Sequence, residues 1–148
     1  MSEISPNLSD FCTQLTEISQ DTIDTFGVTF DCAFAAYHAW LTKKIGNSPN
    51  VDNIMFVTCG DWDLGTMLPM QTKLIPEYMT QWVNIKKILR VHCPGIKTGS
   101  LPEMLDWFGS KFQGRFHSGI DDCRNIVTLC RLIVRDGGVL RYTHSAPL

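Results

Sequence analysis

A chain of 148 residues with 44% apolar content has material for one globular domain with its own core, and it shows no internal repeat or low-complexity tract. No run of about 18 apolar residues is present to span a bilayer, and the N-terminus lacks the charged-then-apolar layout of a secretory signal. A net charge of −2 argues against a protein that holds nucleic acid by bulk attraction alone.

The charge is unevenly placed. Residues 1 to 42 carry six acids and no Lys or Arg, whereas residues 73 to 115 carry seven basic and three acidic residues. Any phosphate-facing surface is therefore expected in the second stretch, from Lys86, Lys87, Arg90, Lys111 and Arg115, although such residues are more often plain solvated surface. Cys12, Cys32, Cys59, Cys93, Cys123 and Cys130 form no Cys-x-x-Cys pair. Reduced, mostly buried thiols in a cytosolic or nuclear protein are expected rather than a zinc ribbon or a redox dithiol.

Ser5 to Asp10 reads as a turn, with Ser9 or Asp10 capping a short helix through Phe11, Cys12 and Leu15. A longer helix is expected from Phe30 to about Lys44, where Phe30, Ala33, Phe34, Tyr37, Trp40 and Leu41 keep the helical step. Asp31 in its first turn and Lys43 and Lys44 in its last suit the helix dipole. His38 lies off the stripe and reads as an exposed structural histidine. Gly46-Asn47-Ser48-Pro49-Asn50 then breaks the chain.

Ile54-Met55-Phe56-Val57-Thr58 is the one continuous apolar run of strand length and reads as a buried central strand. Asp61 and Asp63 follow it directly, at the place where open sheets covered by helices carry ligand chemistry. The plain alternative is that one of them is an N-cap. From Tyr78 to Arg90 the pattern fits either a short strand at Trp82 to Ile85 or a helix, and Cys93-Pro94-Gly95 ends it. Ser100-Leu101-Pro102-Glu103 has the form of a capping box opening a helix through Met104, Leu105, Trp107 and Phe108, which Gly109 stops.

Arg115 to Asn125 places His117, Asp121 and Asp122 where a loop enters a helix. Cys123, Ile126, Val127, Cys130, Ile133 and Val134 recur at helical steps and mark the expected apolar face, with Asp136-Gly137-Gly138 at the end. Both acids fall in the first turn, near the positive end of the dipole, and Gly119 is expected to let the loop turn His117 back toward them. This suits metal binding and proton transfer, while the plain reading is a pair of dipole partners beside a loop histidine. Val139 to Thr143 is expected to add a terminal edge strand, and the tail Ser145 to Leu148 to be loose.

Taken together, Phe11-Cys12-Thr13-Gln14-Leu15-Thr16, Val57 to Asp63, Met67-Leu68-Pro69, Gln81 to Lys87 and His117 to Ile126 resemble the DEDDh 3′-to-5′ exonucleases. The resemblance runs from about Pro6 to Thr143 and is strongest to the branch that holds the histone-mRNA exonuclease and the prion-protein-interacting exoribonuclease. It implies an α/β, RNase H-like fold. It also implies metal-dependent phosphodiester hydrolysis from the 3′ ends of single-stranded RNA, with two Mg²⁺ or Mn²⁺ ions and no membrane partner. By position, Asp63 and Asp122 match metal ligands and His117 matches the general base, while Arg115, toward phosphate, and Thr16 are expected as substrate contacts. Asp61 and Asp121 do not match ligands and read as supporting or helix-terminal acids.

Two departures stand against the family pattern. The family's first motif, Asp-x-Glu on the first strand, supplies two further carboxylates, and no Asp-x-Glu occurs among the 148 residues. Residues 1 to 148 are therefore expected to form a single, N-terminally truncated exonuclease domain that lacks the fold's first three strands, with an unpaired sheet edge open to self-association. Glu17 stands where the family usually has Gly, close to where the terminal nucleotide would dock. The alternative to an exoribonuclease is a catalytically inactive RNA- or protein-binding derivative, and an in-frame Asp-x-Glu upstream of Met1 would favour the enzyme.

Overall fold

Hydroxyl caps start each of the three helices in the first part of the chain. The computed structural model describes residues 7–145, and its contacts divide the chain into two units, Met1–Pro49 and Asn50–Leu148. Ser5 and Pro6 of the expected turn and the tail from Ala146 lie outside the described residues. In the first unit, Ser9, Ser19 and Thr29 accept the backbone N–H of Cys12, Thr22 and Cys32 and so open α1 (Asp10–Thr16), α2 (Gln20–Phe26) and α3 (Phe30–Ile45). α3 has the bounds its periodicity predicts, to within a residue. α2 was not expected, because Gln20-Asp21-Thr22-Ile23-Asp24-Thr25-Phe26 carries little apolar repeat. None of the three helices has a buried residue, and Trp40 on the apolar stripe of α3 is 53% exposed. α1 ends at Glu17 with φ 60°, a left-handed cap that glycine adopts without a Cβ penalty.

The second unit is built around β2 (Gln81–Asn84), which runs with no intervening loop into α5 (Ile85–His92). Both readings of this stretch are therefore realised. Asn84 makes the junction: its backbone N–H donates to Thr143 Oγ1 at 2.7 Å, and its side-chain oxygen accepts from Lys86 N at 3.0 Å to start the helix. Trp82 and Val83 are fully buried. Behind them Ile85, Leu89, Met104, Leu105, Leu129 and Ile133 form the fully buried part of the core, drawn from α5, α6 (Leu101–Trp107) and α7 (Gly119–Arg135). The expected capping box on α6 is formed in full by Ser100 and Glu103.

Four expectations are corrected. β1 is only Phe56–Thr58, half-buried, and among the described residues it pairs with β2 alone, so it is an edge strand and β2 is the central one. A strand buried on both faces needs neighbours on both sides, which the apolar run cannot itself reveal. The pairing is parallel, with Phe56 opposite Trp82 and Thr58 opposite Asn84. On the other side β3 is His144–Ser145, antiparallel to β2, rather than Val139 to Thr143. Thr143 meets β2 with its backbone N–H on Trp82 O at 3.0 Å and its hydroxyl on Asn84 N, so the regular ladder begins one residue later.

The buried face of α7 is Asn125, Leu129 and Ile133, with Ile126 and Cys130 flanking it, while Cys123, Val127 and Val134 are exposed. A buried asparagine leads this stripe, and hydrophobic counting passes over it. The thiols are mostly not buried: Cys93 is, Cys59 and Cys130 are half-buried, and Cys12, Cys32 and Cys123 are exposed. No helix among the described residues is long and apolar enough to cross a membrane.

Candidate active site

The chain leaves β1 at Thr58 and turns through Cys59-Gly60-Asp61 into a π-helical turn, Asp63–Met67, that continues as α4 (Leu68–Gln71). Trp62, with helical backbone, makes no side-chain cap bond, and the Asp61 carbonyl opens the segment by accepting from Gly65 N at 2.9 Å. Turns of this kind interrupt regular helices frequently at functional sites. Gly65 lies against the Trp82 ring, where an added Cβ would stand 3.3 Å from it. Asp61 turns to the same ring, accepting from Trp82 Nε1 at 2.9 Å and pairing with Lys87 at 2.8 Å. Partial burial works against its charge, but the hydrogen bonds from Lys87, Trp82 and Asn84 outweigh that and hold its carboxyl below the ordinary range. Asp61 is thereby occupied in fastening the end of β1 to β2 and α5. Asp63 is left facing the cleft.

The other wall comes from the loop before α7. Asn125, 2% exposed, holds the Gln113 peptide from both sides, accepting its N–H at 3.0 Å and donating to its carbonyl at 2.7 Å. Asp121 then accepts from Arg115 N at 3.1 Å and from the Arg124 guanidinium at 3.1 Å. The Arg115 backbone bond is the main reason its carboxyl is held low. Gly114, at φ 86°, lets the loop pass so close that an added Cβ would lie 2.5 to 2.9 Å from the Asp121 carboxyl atoms. The two adjacent acids thus divide: Asp121 secures the loop, and Asp122 lines the cleft.

His117 completes the arrangement. It is exposed and sits at φ 63°, left-handed backbone that a non-glycine residue rarely adopts, so the turn toward the cleft is made at His117 itself. Gly119 is not the hinge the sequence suggests: it is helical, with open space where a Cβ would be. The result is a cleft of about 710 Å³, bounded by β1, the start of α6, Phe112 and Phe116, and the first turns of α7, in which Asp63, His117 and Asp122 share one lining. Cys59 stands among them; burial raises its thiol pKa, Lys86 pulls it down, and Asp63 and Asp122 both push it up. Neither Cys59 nor Asn125 is singled out by the sequence, although both adjoin the acidic motifs.

The remaining candidates are placed differently. Arg115 is not part of the cleft lining, and its guanidinium donates to the Phe116 carbonyl at 3.3 Å. Thr16 belongs to the first unit, where its hydroxyl donates to Cys12 O and accepts from Ile18 N. The basic residues of the central stretch are engaged internally: Lys86 with the Gly99 carbonyl, Arg90 with Thr98, Lys87 with Asp61 and Lys111 with Asp106. As for a metal, carboxylate oxygens suit Mg²⁺ or Mn²⁺ in kind. In number they fall short. The described residues bring two carboxylates to the cleft, and a two-ion centre needs more to fix both ions.

The exonuclease family model RNase T matches residues 2–130. ERI1 exoribonuclease 3 of Homo sapiens is 35% identical over 144 residues, which cover 95% of this chain and 42% of that protein, so the chain spans under half of that relative's length. The nuclease domain of 3′hExo, a DEDDh family member bound to rAMP, superposes with a TM-score of 0.84 at 31% identity, covering 97% of this chain and 72% of that one. A 3′-exonuclease that recognises the 3′ end of the histone mRNA stem-loop superposes with a TM-score of 0.80 at 29% identity, covering 92% of this chain and 61% of the other. That family generally uses divalent metal ions. With an RNase H-like fold and a cleft shared by two carboxylates and a histidine, the chain belongs to the DEDDh 3′-to-5′ exonuclease family.

Proposed function

We propose that this chain carries the histidine half of a 3′-to-5′ exoribonuclease centre that acts on single-stranded RNA 3′ ends. The observation that carries the reading is the common cleft of Asp63, His117 and Asp122. His117, exposed at the mouth of the cleft, takes the proton of the attacking water as general base, and Asp63 and Asp122 would supply hard oxygen donors for Mg²⁺ or Mn²⁺. The apolar walls given by Val57, Leu101 and Phe112 suit the face of a terminal base. Arg115 and Thr16 remain proposed substrate contacts.

A second reading, a catalytically inactive RNA- or protein-binding derivative, is favoured by one observation: two carboxylates in the cleft and no Asp-x-Glu in the sequence. The open edge of β1 further proposes association with a second copy.

The deciding assay is trimming of 3′-labelled single-stranded RNA with Mg²⁺ or Mn²⁺. Turnover at or near background is expected for residues 1 to 148. In a form that also carries an Asp-x-Glu strand, trimming should be robust, and His117→Ala should slow it by roughly 10² to 10⁴ with RNA binding nearly unchanged. Full activity of His117→Ala at neutral pH overturns the assigned base. Strong trimming by the 148-residue chain, lost on Asp122→Ala, shows that other carboxylates complete the centre.

A further inference from the structure

At the opposite end of α7, about 21 Å along the helix from Asp122, a second group of metal-binding side chains converges. His92 is the last residue of α5, Cys93 caps that helix, and Asp136 caps α7. Their ligand atoms lie within 4.8 Å of one another, with His92 Nε2 3.0 Å from Asp136 Oδ2. Among the described residues no other three His, Cys, Asp or Glu side chains meet in this way.

Two helix C-termini bring their negative dipole ends to this point, and Asp136 adds a carboxylate where a helix end disfavours one. A cation resolves both. The ion pair of His92 with Asp136 accounts for two of the three groups and leaves out the sulfur. Cys93 is 6% exposed, and burial and the nearby Asp136 carboxylate keep its thiol protonated in the absence of a cation. Gly137, at φ 85°, and Gly138 shape the turn after α7, and an added Cβ on Gly138 would come within 3.2 Å of the His92 ring.

We propose that His92 Nε2, Cys93 Sγ and an Asp136 carboxylate oxygen form a three-ligand Zn²⁺ site that ties the C-termini of α5 and α7 together. Ligand atoms about 2.0 to 2.3 Å from a tetrahedral ion stand roughly 3.3 to 3.8 Å apart, so the observed spacing closes with small side-chain rotations. A cavity of about 530 Å³ lies beside the group, lined in part by His92, Gly137 and Gly138. Binding releases the Cys93 thiol proton to solvent as the zinc–sulfur bond forms. A sulfur and an imidazole select Zn²⁺ over Mg²⁺, which separates this site from the carboxylate cleft.

The test is titration of the chelator-stripped full chain with Zn²⁺ and with Co²⁺ as a spectroscopic probe. One equivalent should bind, with a sulfur-to-cobalt charge-transfer band in the near ultraviolet. Cys93→Ser should abolish the band, and Asp136→Asn, at a solvent-exposed helix end, should weaken binding by at least ~100-fold while the circular dichroism spectrum is kept. The paired substitution Asp63→Asn with Asp122→Asn should leave binding unchanged. Absence of a bound equivalent, a band that survives Cys93→Ser, or loss of binding in the Asp63, Asp122 pair overturns the proposal.

Discussion

Asn125 grips the peptide of Gln113 at both its N–H and its C=O, twelve residues away in sequence, and so fixes the loop that carries His117. A third bond runs from the same amide nitrogen to the Asp121 carbonyl at 2.8 Å. Replacing Asn125 by Ala leaves these backbone groups without their partner in a water-poor place, at a cost of about 2–4 kcal/mol. Urea unfolding should show this loss, and hydrogen exchange should show the Gln113 amide losing protection ahead of the core. A variant within about 0.5 kcal/mol of the parent would mean that water replaces the side chain.

Gly114 and Asp121 form a steric pair that a double-mutant cycle can resolve. Gly114→Ala meets two penalties, the left-handed φ of 86° and the contact with the Asp121 carboxylate, and should destabilise by roughly 1–3 kcal/mol. With Asp121→Ala already present the contact is gone, and only the backbone penalty of about 1–2 kcal/mol should remain. Strict additivity of the two substitutions would show that the loop shifts rather than clashes.

Acid should loosen the second unit through Asp61 and Asp121. Both carboxyls lie below their ordinary value of 3.8 in the folded chain, Asp61 because its hydrogen bonds overcome desolvation and Asp121 mainly through the Arg115 N–H. A depressed folded value means the contribution is present above 3.8 and is lost as pH falls through the lower folded values. Tm should therefore drop below that pH, and less steeply in Asp61→Asn and Asp121→Asn. Parallel slopes in all three chains would remove these two acids from the account.

Local chemistry was readable in the sequence where a residue acts on its near neighbours. Ser100 and Glu103 announce their capping box because both bonds span three residues, and Phe30 to Leu41 repeat at a step that only a helix needs. Asp63, His117 and Asp122 were found by motif, and the fold brings them to one cleft. What depends on distant partners was hidden. Asn125 looks like an ordinary polar residue until Gln113 is beside it, and its presence shifts the buried face of α7 away from Cys123, Val127 and Val134. Trp82-Val83-Asn84-Ile85 resisted a single assignment because strand and helix meet there without a loop. The left-handed backbone of His117 has no sequence signal, since glycine, the usual marker, stands two residues later at a position that does not need it.

β1 gives the last prediction. Its backbone pairs with β2 on one side, and among the described residues no strand lies on the other. Phe56, Val57 and Thr58 are half-buried, and Met55 beside them is 44% exposed, so the open edge is apolar as well as unpaired. Such an edge is a template for a further strand, and no lysine or proline stands within Ile54 to Thr58 to blunt it. The described helices add exposed apolar side chains, among them Phe11, Phe26 and Trp40. The 148-residue chain is therefore expected to sediment as concentration-dependent oligomers and to bind a hydrophobic dye. Met55→Lys, which puts a charge beside the edge and leaves the cleft lining intact, should shift the profile toward monomer. A monomeric profile for the parent chain at every concentration, with a sharp thermal transition and no dye binding, would show that the edge is covered.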